Sequence, residues 1–170
     1  MKKILLTIGL LLTFTFVNGQ LAGIISSEDV SIADPYGPEK IADGTFDIGG
    51  ALWGAGTSWS YDADNDEMDF DNVANGNLVQ QDGNMLSSLA INTTYLITFD
   101  INIVSGNANF KIANAAIGVD YVAYDDYATD NHSFEFTTPA DIGAAGFGIR
   151  AQTSSTTSFT IDNISIKEVL

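Results

Sequence analysis

Residues able to do chemistry are unevenly spread along this chain. His132 is the single histidine, and its neighbours Asn131 and Ser133 supply no acid to orient it, so no nucleophile–base–acid relay is present. Cysteine is absent, which excludes thiol chemistry. Acids are so abundant, 22 Asp and Glu, that pairs resembling a glycosidase couple arise by number alone. Nothing marks one of them as held protonated by an apolar setting. No Gly-rich phosphate loop or zinc spacing occurs. The run Asp62-Ala63-Asp64-Asn65-Asp66-Glu67 imitates the alternating acids of an EF-hand loop. However, Glu67 stands where that loop needs its sixth-position glycine, and Val73 where it needs glutamate. It reads as a solvated hairpin tip. These residues support a protein that binds rather than an enzyme.

Asp162 is better placed. In Phe159-Thr160-Ile161-Asp162-Asn163-Ile164-Ser165-Ile166 the apolar residues alternate with polar ones, as a half-buried strand requires. The parity changes midway, from Phe159 and Ile161 to Ile164 and Ile166. One inserted residue restores register, so a β-bulge or kink is expected at Asp162-Asn163. A carboxylate aimed by such a kink needs a cation or hydrogen-bond donors as partners.

The elements that would position these residues are strands. Gly, Asn, Asp, Ser and Thr punctuate the chain, and no amphipathic stretch of helical period follows the first residues. Ser58 to Asp62 and Glu67 to Asp71 flank a turn and read as a hairpin. Asn77 to Gln81 is a short strand. Tyr95 to Val104 sets Tyr95, Ile97, Phe99, Ile101 and Ile103 on one face, and Ala108 to Ala113 is expected to pair with it across Ser105-Gly106-Asn107. Val119 to Ala123, Ser133 to Thr137, Gly146 to Ala151 and Ser158 to Val169 complete about nine short strands, the pattern of an all-β sandwich or jelly roll.

Residues 1–19 read as a cleavable signal peptide. Lys2 and Lys3 precede an apolar run from Ile4 to Val17, too short to span a bilayer, and Val17-Asn18-Gly19 offers a cleavage site before Gln20. No later segment could span a membrane. Residues 20–40 read as an N-terminal arm with Val30 and Ile32 as a possible edge strand, and residues 41–170 as one domain. A secreted, extracellular or cell-surface location follows. The formal net charge is −16, and loss of Lys2 and Lys3 makes it more negative. Nucleic acid and anionic membranes need a basic surface, so both are excluded as partners. With no disulfide available, the fold must rely on its core and on metal, if any.

Several pieces stand in a recognisable order: Ile41-Ala42-Asp43-Gly44-Thr45-Phe46-Asp47, Trp53 and Trp59, Leu78-Val79-Gln80-Gln81, Tyr95-Leu96-Ile97-Thr98-Phe99-Asp100, Ser133-Phe134-Glu135-Phe136-Thr137, Phe147-Gly148-Ile149-Arg150, and the closing strand. Together they resemble the galactose-binding-like jelly rolls of carbohydrate-binding modules in families 4 and 9. Similar domains occur in phage virion proteins. The resemblance covers about residues 41 to 169. It implies a structural calcium, Ca2+, where the first motif meets the last, with Gly44, Asp47 and Asp162 as candidate ligands. Asp47 stands where the family has Glu. The other reading makes Asp47 and Asp162 turn residues satisfied by backbone N–H groups.

The resemblance also implies a polysaccharide or cell-surface glycan as partner, stacked on aromatic rings and held by polar side chains. Trp59, Tyr121 and Tyr124 are candidate rings. Gln80 or Gln81 holds the position of a glycan-contacting Gln, and Arg150 lies on the opposite parity from Phe147 and Ile149. One of Trp53 and Trp59 is expected in the core instead, and Arg150 could equally neutralise acidic surface. Two functions remain open: a non-catalytic glycan-binding module, or a structural or adhesive surface or virion-type protein that uses the jelly roll for assembly with itself or a protein partner.

Overall fold

A computed structural model of the chain describes residues 34–71, 74–152 and 157–170. The expected signal peptide and the first part of the expected arm, including Val30 and Ile32, lie outside the described residues. Eleven strands are described: β1 (Tyr36–Glu39), β2 (Gly54–Ala55), β3 (Trp59–Asp62), β4 (Glu67–Asp71), β5 (Gly76–Gln81), β6 (Thr94–Ser105), β7 (Ala108–Ala113), β8 (Asp120–Tyr127), β9 (Asp130–Thr137), β10 (Gly146–Ala151) and β11 (Ser158–Val169). A single 3₁₀ turn, Asp82–Asn84, follows β5. The strands form two antiparallel sheets. One is six-stranded in the order β3-β4-β11-β6-β9, with β1 also on β11; the other is five-stranded in the order β2-β5-β10-β7-β8. This is a jelly-roll β-sandwich.

Alternation explains the core. Phe159 and Ile161 on β11, Met68 and Phe70 on β4, and Tyr95, Ile97, Phe99 and Ile101 on β6 all point inward and are buried. Leu78, Phe110, Ile112, Phe147 and Ile149 face them from the second sheet. Burying a large apolar side chain contributes roughly 1.5–3 kcal/mol, so these positions account for cohesion without any disulfide.

The expected kink in β11 is present. Its register against β6 shifts between Asp162 and Ser165, and Asn163 adopts a left-handed φ of 53°. The bulge has an architectural use. On the side of β11 away from β6, residues Ser158 to Ile161 pair with β4, whereas Lys167 and Val169 pair with β1. Between those partners the Ile164 N–H donates to the Gly44 carbonyl at 2.9 Å. The first motif is thereby sewn into the last strand. Glu39 supports the junction: its carboxylate accepts from the backbone N–H groups of Lys40, Ile41 and Ile166 and from the Ser165 hydroxyl. Residues 36–39 of the expected arm are therefore a strand of the six-stranded sheet.

One expected pairing is corrected. β6 and β7 do not form a hairpin, because β6 pairs with β11 and β9 while β7 pairs with β10 and β8. The turn around Gly106, at φ 72°, carries the chain from one sheet to the other. Both strands have an inward apolar face, and placing them in opposite sheets lets Phe99 meet Phe110 edge-on, 5.5 Å between ring centres.

Candidate functional site

The outer face of the five-stranded sheet collects polar side chains that the alternation turns away from the core. On β5, Leu78 and Gln80 point inward, which leaves Asn77, Val79 and Gln81 outside. On β10, Phe147 and Ile149 are inward and Gly148 and Arg150 outward; on β7, Phe110 and Ile112 are inward and Asn109 and Lys111 outward. Register aligns these positions in rows. Arg150 lies opposite Asn77 on one side and Lys111 on the other. The Lys111 ammonium sits 5.6 Å from the centre of the Tyr124 ring and pairs with Asp120. One row of Asn77, Arg150, Lys111 and Tyr124 thus crosses four strands.

The next row is built differently. Gly148 lies opposite Val79 and Ala113, and a Cβ there would come within 2.6 Å of the Ile117 side chain. The turn closed by Ile117 N–H to the Asn114 carbonyl, 2.8 Å, therefore packs down on Gly148 and walls one end of the face. Toward the other end, Asn109 donates to Asp126 at 2.8 Å. Two polar atoms on the face are buried and have no hydrogen-bond partner, the Arg150 Nε donor and the Asn109 Oδ1 acceptor. Buried polar groups are normally paired, and both atoms are sealed from solvent.

Of the residues expected to bind ligand, the structure brings Arg150, Tyr124 and Gln81 to this face and removes others. Trp59 is a correction: it is 6 % exposed and packs in the core against Phe70 and Phe159, at 5.2 and 5.7 Å, because its register opposite Phe70 aims it inward. Trp53 is buried as well, its indole N–H donating to the Asp43 carbonyl at 2.9 Å. Both tryptophans are core. Gln80 is a second correction. It is fully buried, and its amide accepts from the Ala42 N–H at 3.0 Å and donates to the Ala42 carbonyl at 2.6 Å. It fastens the first motif to β5 instead of meeting a ligand. Tyr121 stacks on Phe136 across the edge of the sandwich, 5.7 Å apart, and burial pushes its phenol up to about 12. Asn77, Asn109 and Lys111 were not singled out from the sequence, although the parity of Ala108 to Ala113 against Phe110 and Ile112 marks the last two as outward.

A cluster of acids lies on the other sheet. Carboxylate oxygens of Asp62, Glu67 and Asp69 lie within 4.8 Å of one another, a group able to hold a metal. Partial burial pushes the Asp69 carboxyl up, reinforced by the charges of Asp62, Glu67 and Asp71. Asp162 is also raised, first by partial burial and further by Asp100, Glu67 and Asp47, against the Asn163 N–H, which lowers it. Asp47 and Asp162 are therefore within electrostatic reach, but the Asp162 carboxylate already accepts from Asn163 at 2.6 and 3.0 Å. Asp62 accepts from the Asp64 N–H and the Asn65 amide, as a hairpin tip requires. A raised carboxyl stabilises the fold below its ordinary pKa, and that contribution is lost as pH rises through the raised value. Near neutrality Asp69 and Asp162 therefore weaken the fold, and a cation would relieve them.

A separate cleft of 360 Å³ runs between β8 and β9, lined by Val122, Asp125, Asp126, Tyr127, His132 and Phe134. His132 is held there by the Ala128 carbonyl at 2.9 Å and by the Phe99 ring at 5.3 Å. Among the described residues no helix is long and apolar enough to cross a membrane.

No protein-family model matches the sequence, and no curated protein matches it either. Solved structures do match in fold. A CBM4 module, described under "CBM4 structure and function", superposes with a TM-score of 0.51 at 16% identity, covering 75% of this chain and 99% of that one. The N-terminal cellulose-binding domain of Cellulomonas fimi β-1,4-glucanase C gives 0.51 at 14% identity, covering 81% and 99%. In architecture, then, the chain is a jelly-roll β-sandwich similar in fold to these modules.

Proposed function

We propose that this protein is a secreted, non-catalytic module that binds a polysaccharide or cell-surface glycan on the outer face of its five-stranded sheet. A shared fold alone does not carry a function. The observation that carries this one is the row Asn77, Arg150, Lys111 and Tyr124, which sets amide, cations and an aromatic ring side by side on the outer face. A sugar offers hydroxyls to the first kinds of group and a C–H face to the last. Gln81 extends the polar surface at one corner. The competing reading, assembly through sheet edges, meets like charges: the edge strands β8 and β9 carry Asp120, Asp125 and Asp126, and Asp130 and Glu135. Such acids oppose strand addition between copies.

The test is retention on a panel of insoluble and gel-embedded polysaccharides. Tyr124→Ala is expected to weaken binding about tenfold, in line with the loss of roughly 1 kcal/mol or more of ring contact, while the melting temperature stays within a few degrees. Unchanged retention for this variant, or no retention of the wild type on any glycan, removes the reading.

Calcium belongs to the same proposal, as a structural ion on the outer side of the six-stranded sheet. Its candidate ligands are Gly44, Asp47 and Asp162 from the resemblance, and the group Asp62, Glu67 and Asp69. Six to eight oxygens are needed. The Gly44 carbonyl is already engaged by Ile164, which favours the carboxylates. Millimolar Ca2+ is expected to raise the melting temperature by several degrees at pH 7, with chelator reversing it, since an ion that binds only the folded state stabilises it by mass action. The gain is expected to shrink as pH falls toward the raised carboxyls, which cannot ligate once protonated. Loss of the gain in Asp162→Asn or in Asp69→Asn tells which group holds the ion; no gain in wild type removes the site.

A further inference from the structure

The cations of the candidate face point beyond glycan binding in general. The chain has 6 Lys and Arg against 22 acids, yet Arg150 and Lys111 stand directly opposite each other on adjacent strands. Like charges facing across a ladder destabilise a sheet, so packing gives no reason for the pair. Lys111 is fixed by Asp120 and by the Tyr124 ring. Lys40, elsewhere, lies 3.8 Å from Glu168. Arg150 differs. It is half-buried, no ion pair reaches it among the described residues, and its Nε–H is sealed from solvent without an acceptor. The nearest outward neighbours by register are Asn77 and Lys111, neither of them an acid.

We infer that Arg150 receives the carboxylate of a uronic acid residue, so that the recognised glycan is a largely neutral polysaccharide carrying uronic acid. This inference rests on the glycan reading above and narrows it. A guanidinium presents parallel N–H donors in a planar fork, which a carboxylate matches with two oxygens at once. The terminal Nη groups supply that fork end-on, the Nε–H being sealed from solvent. Tyr124 lies two strands from Arg150, roughly 10 Å at the usual strand spacing, so it meets a neighbouring sugar of the same chain. The overall charge decides against a polyanion. A formal net charge of −16 repels a dense polyuronate at a distance, whereas an isolated carboxylate delivered to Arg150 on a neutral chain is attracted at contact.

The experiment compares four soluble probes at physiological salt by affinity electrophoresis or calorimetry: a glucuronic acid-substituted xylan, the same polymer after carboxyl reduction, polygalacturonate, and dextran sulfate. Wild type is expected to bind the substituted xylan at least tenfold more tightly than its reduced form and more tightly than polygalacturonate. Arg150→Gln, checked as folded by its circular dichroism and melting curve, is expected to lose that preference and bind both xylans alike. Equal binding of both xylans by wild type overturns the carboxylate inference and leaves glycan binding standing. Preference for dextran sulfate overturns it in favour of a sulfate ester. Tighter binding of polygalacturonate overturns the neutral-chain part. Binding of none of these probes, with retention on another neutral polysaccharide, overturns the inference alone; retention on no polysaccharide at all overturns both.

Discussion

Gly44→Ala is expected to prevent folding or to lower stability by at least about 3 kcal/mol, the upper range for overpacking. A Cβ at this position would lie 1.8 Å from the Ile164 carbonyl oxygen and 2.9 Å from its carbon, both backbone atoms that cannot swing aside. The same residue accepts the Ile164 N–H, so relieving the overlap would break the hydrogen bond that joins the first motif to β11. The consequence reaches further than one contact, because β1, the bulge and the Glu39 carboxylate converge on the same stretch of β11. Gly83→Ala is the control. A Cβ there meets nothing within 4 Å, and it is expected to be neutral. Chemical denaturation of the three proteins measures the difference. A Gly44→Ala protein with wild-type stability would show that the first motif is not seated against Ile164.

Phe159→Ala is expected to cost roughly 3–5 kcal/mol, the range for a fully buried aromatic. Phe159 is wholly inaccessible to solvent and lies within 5.1 Å of Phe70, 5.7 Å of Trp59 and 5.9 Å of Phe110, measured between ring centres. Phe70 and Trp59 belong to its own sheet, whereas Phe110 belongs to the opposite one. Truncation therefore opens a cavity between the layers, where neither sheet can close it alone. Unfolding in urea gives the number directly. Phe159→Leu, which fills most of the volume, is expected to recover about half of the loss. A cost below about 1 kcal/mol for the alanine variant would mean that the two sheets repack freely, contrary to a core of this density.

Both expectations bear on function. The candidate binding face is the reverse side of strands whose inner sides pack on this core. Arg150 is held by Ile149 and Ala151 on either side of it, and Lys111 by Phe110 and Ile112. Damage to the core should then reduce glycan retention in proportion to unfolding, while Tyr124→Ala and Arg150→Gln should reduce it without unfolding. That contrast separates a binding residue from a structural one.

Much of the fold was legible because its strands are amphipathic. Glu67 to Asp71 and Ala108 to Ala113 coincide with β4 and β7, and the parity change in the closing strand located the bulge at Asp162 and Asn163. β8 was read short, ending at Ala123 instead of Tyr127, since its register against β7 shifts twice and breaks the alternation. β2, only Gly54 and Ala55, has no intrinsic strand preference; its pairing is imposed by β5. Trp59 and Gln80 were misplaced on the face for a different reason. An aromatic and an amide are chemically fit for sugar, but which side of a strand they occupy is set by their partners, Phe70 for one and the Ala42 backbone for the other.

By itself the sequence determined strands β3 to β11, the inward and outward face of most of them, the kink near the end, and a strongly acidic net charge. These are local or summed properties, fixed by side-chain period and charge. The tertiary structure alone decided that β6 and β7 lie in different sheets, that Gly44 meets Ile164, and that Asn77, Arg150, Lys111 and Tyr124 form one row. Those residues come from four separated segments, and only the hydrogen-bond register of a closed sandwich brings them together.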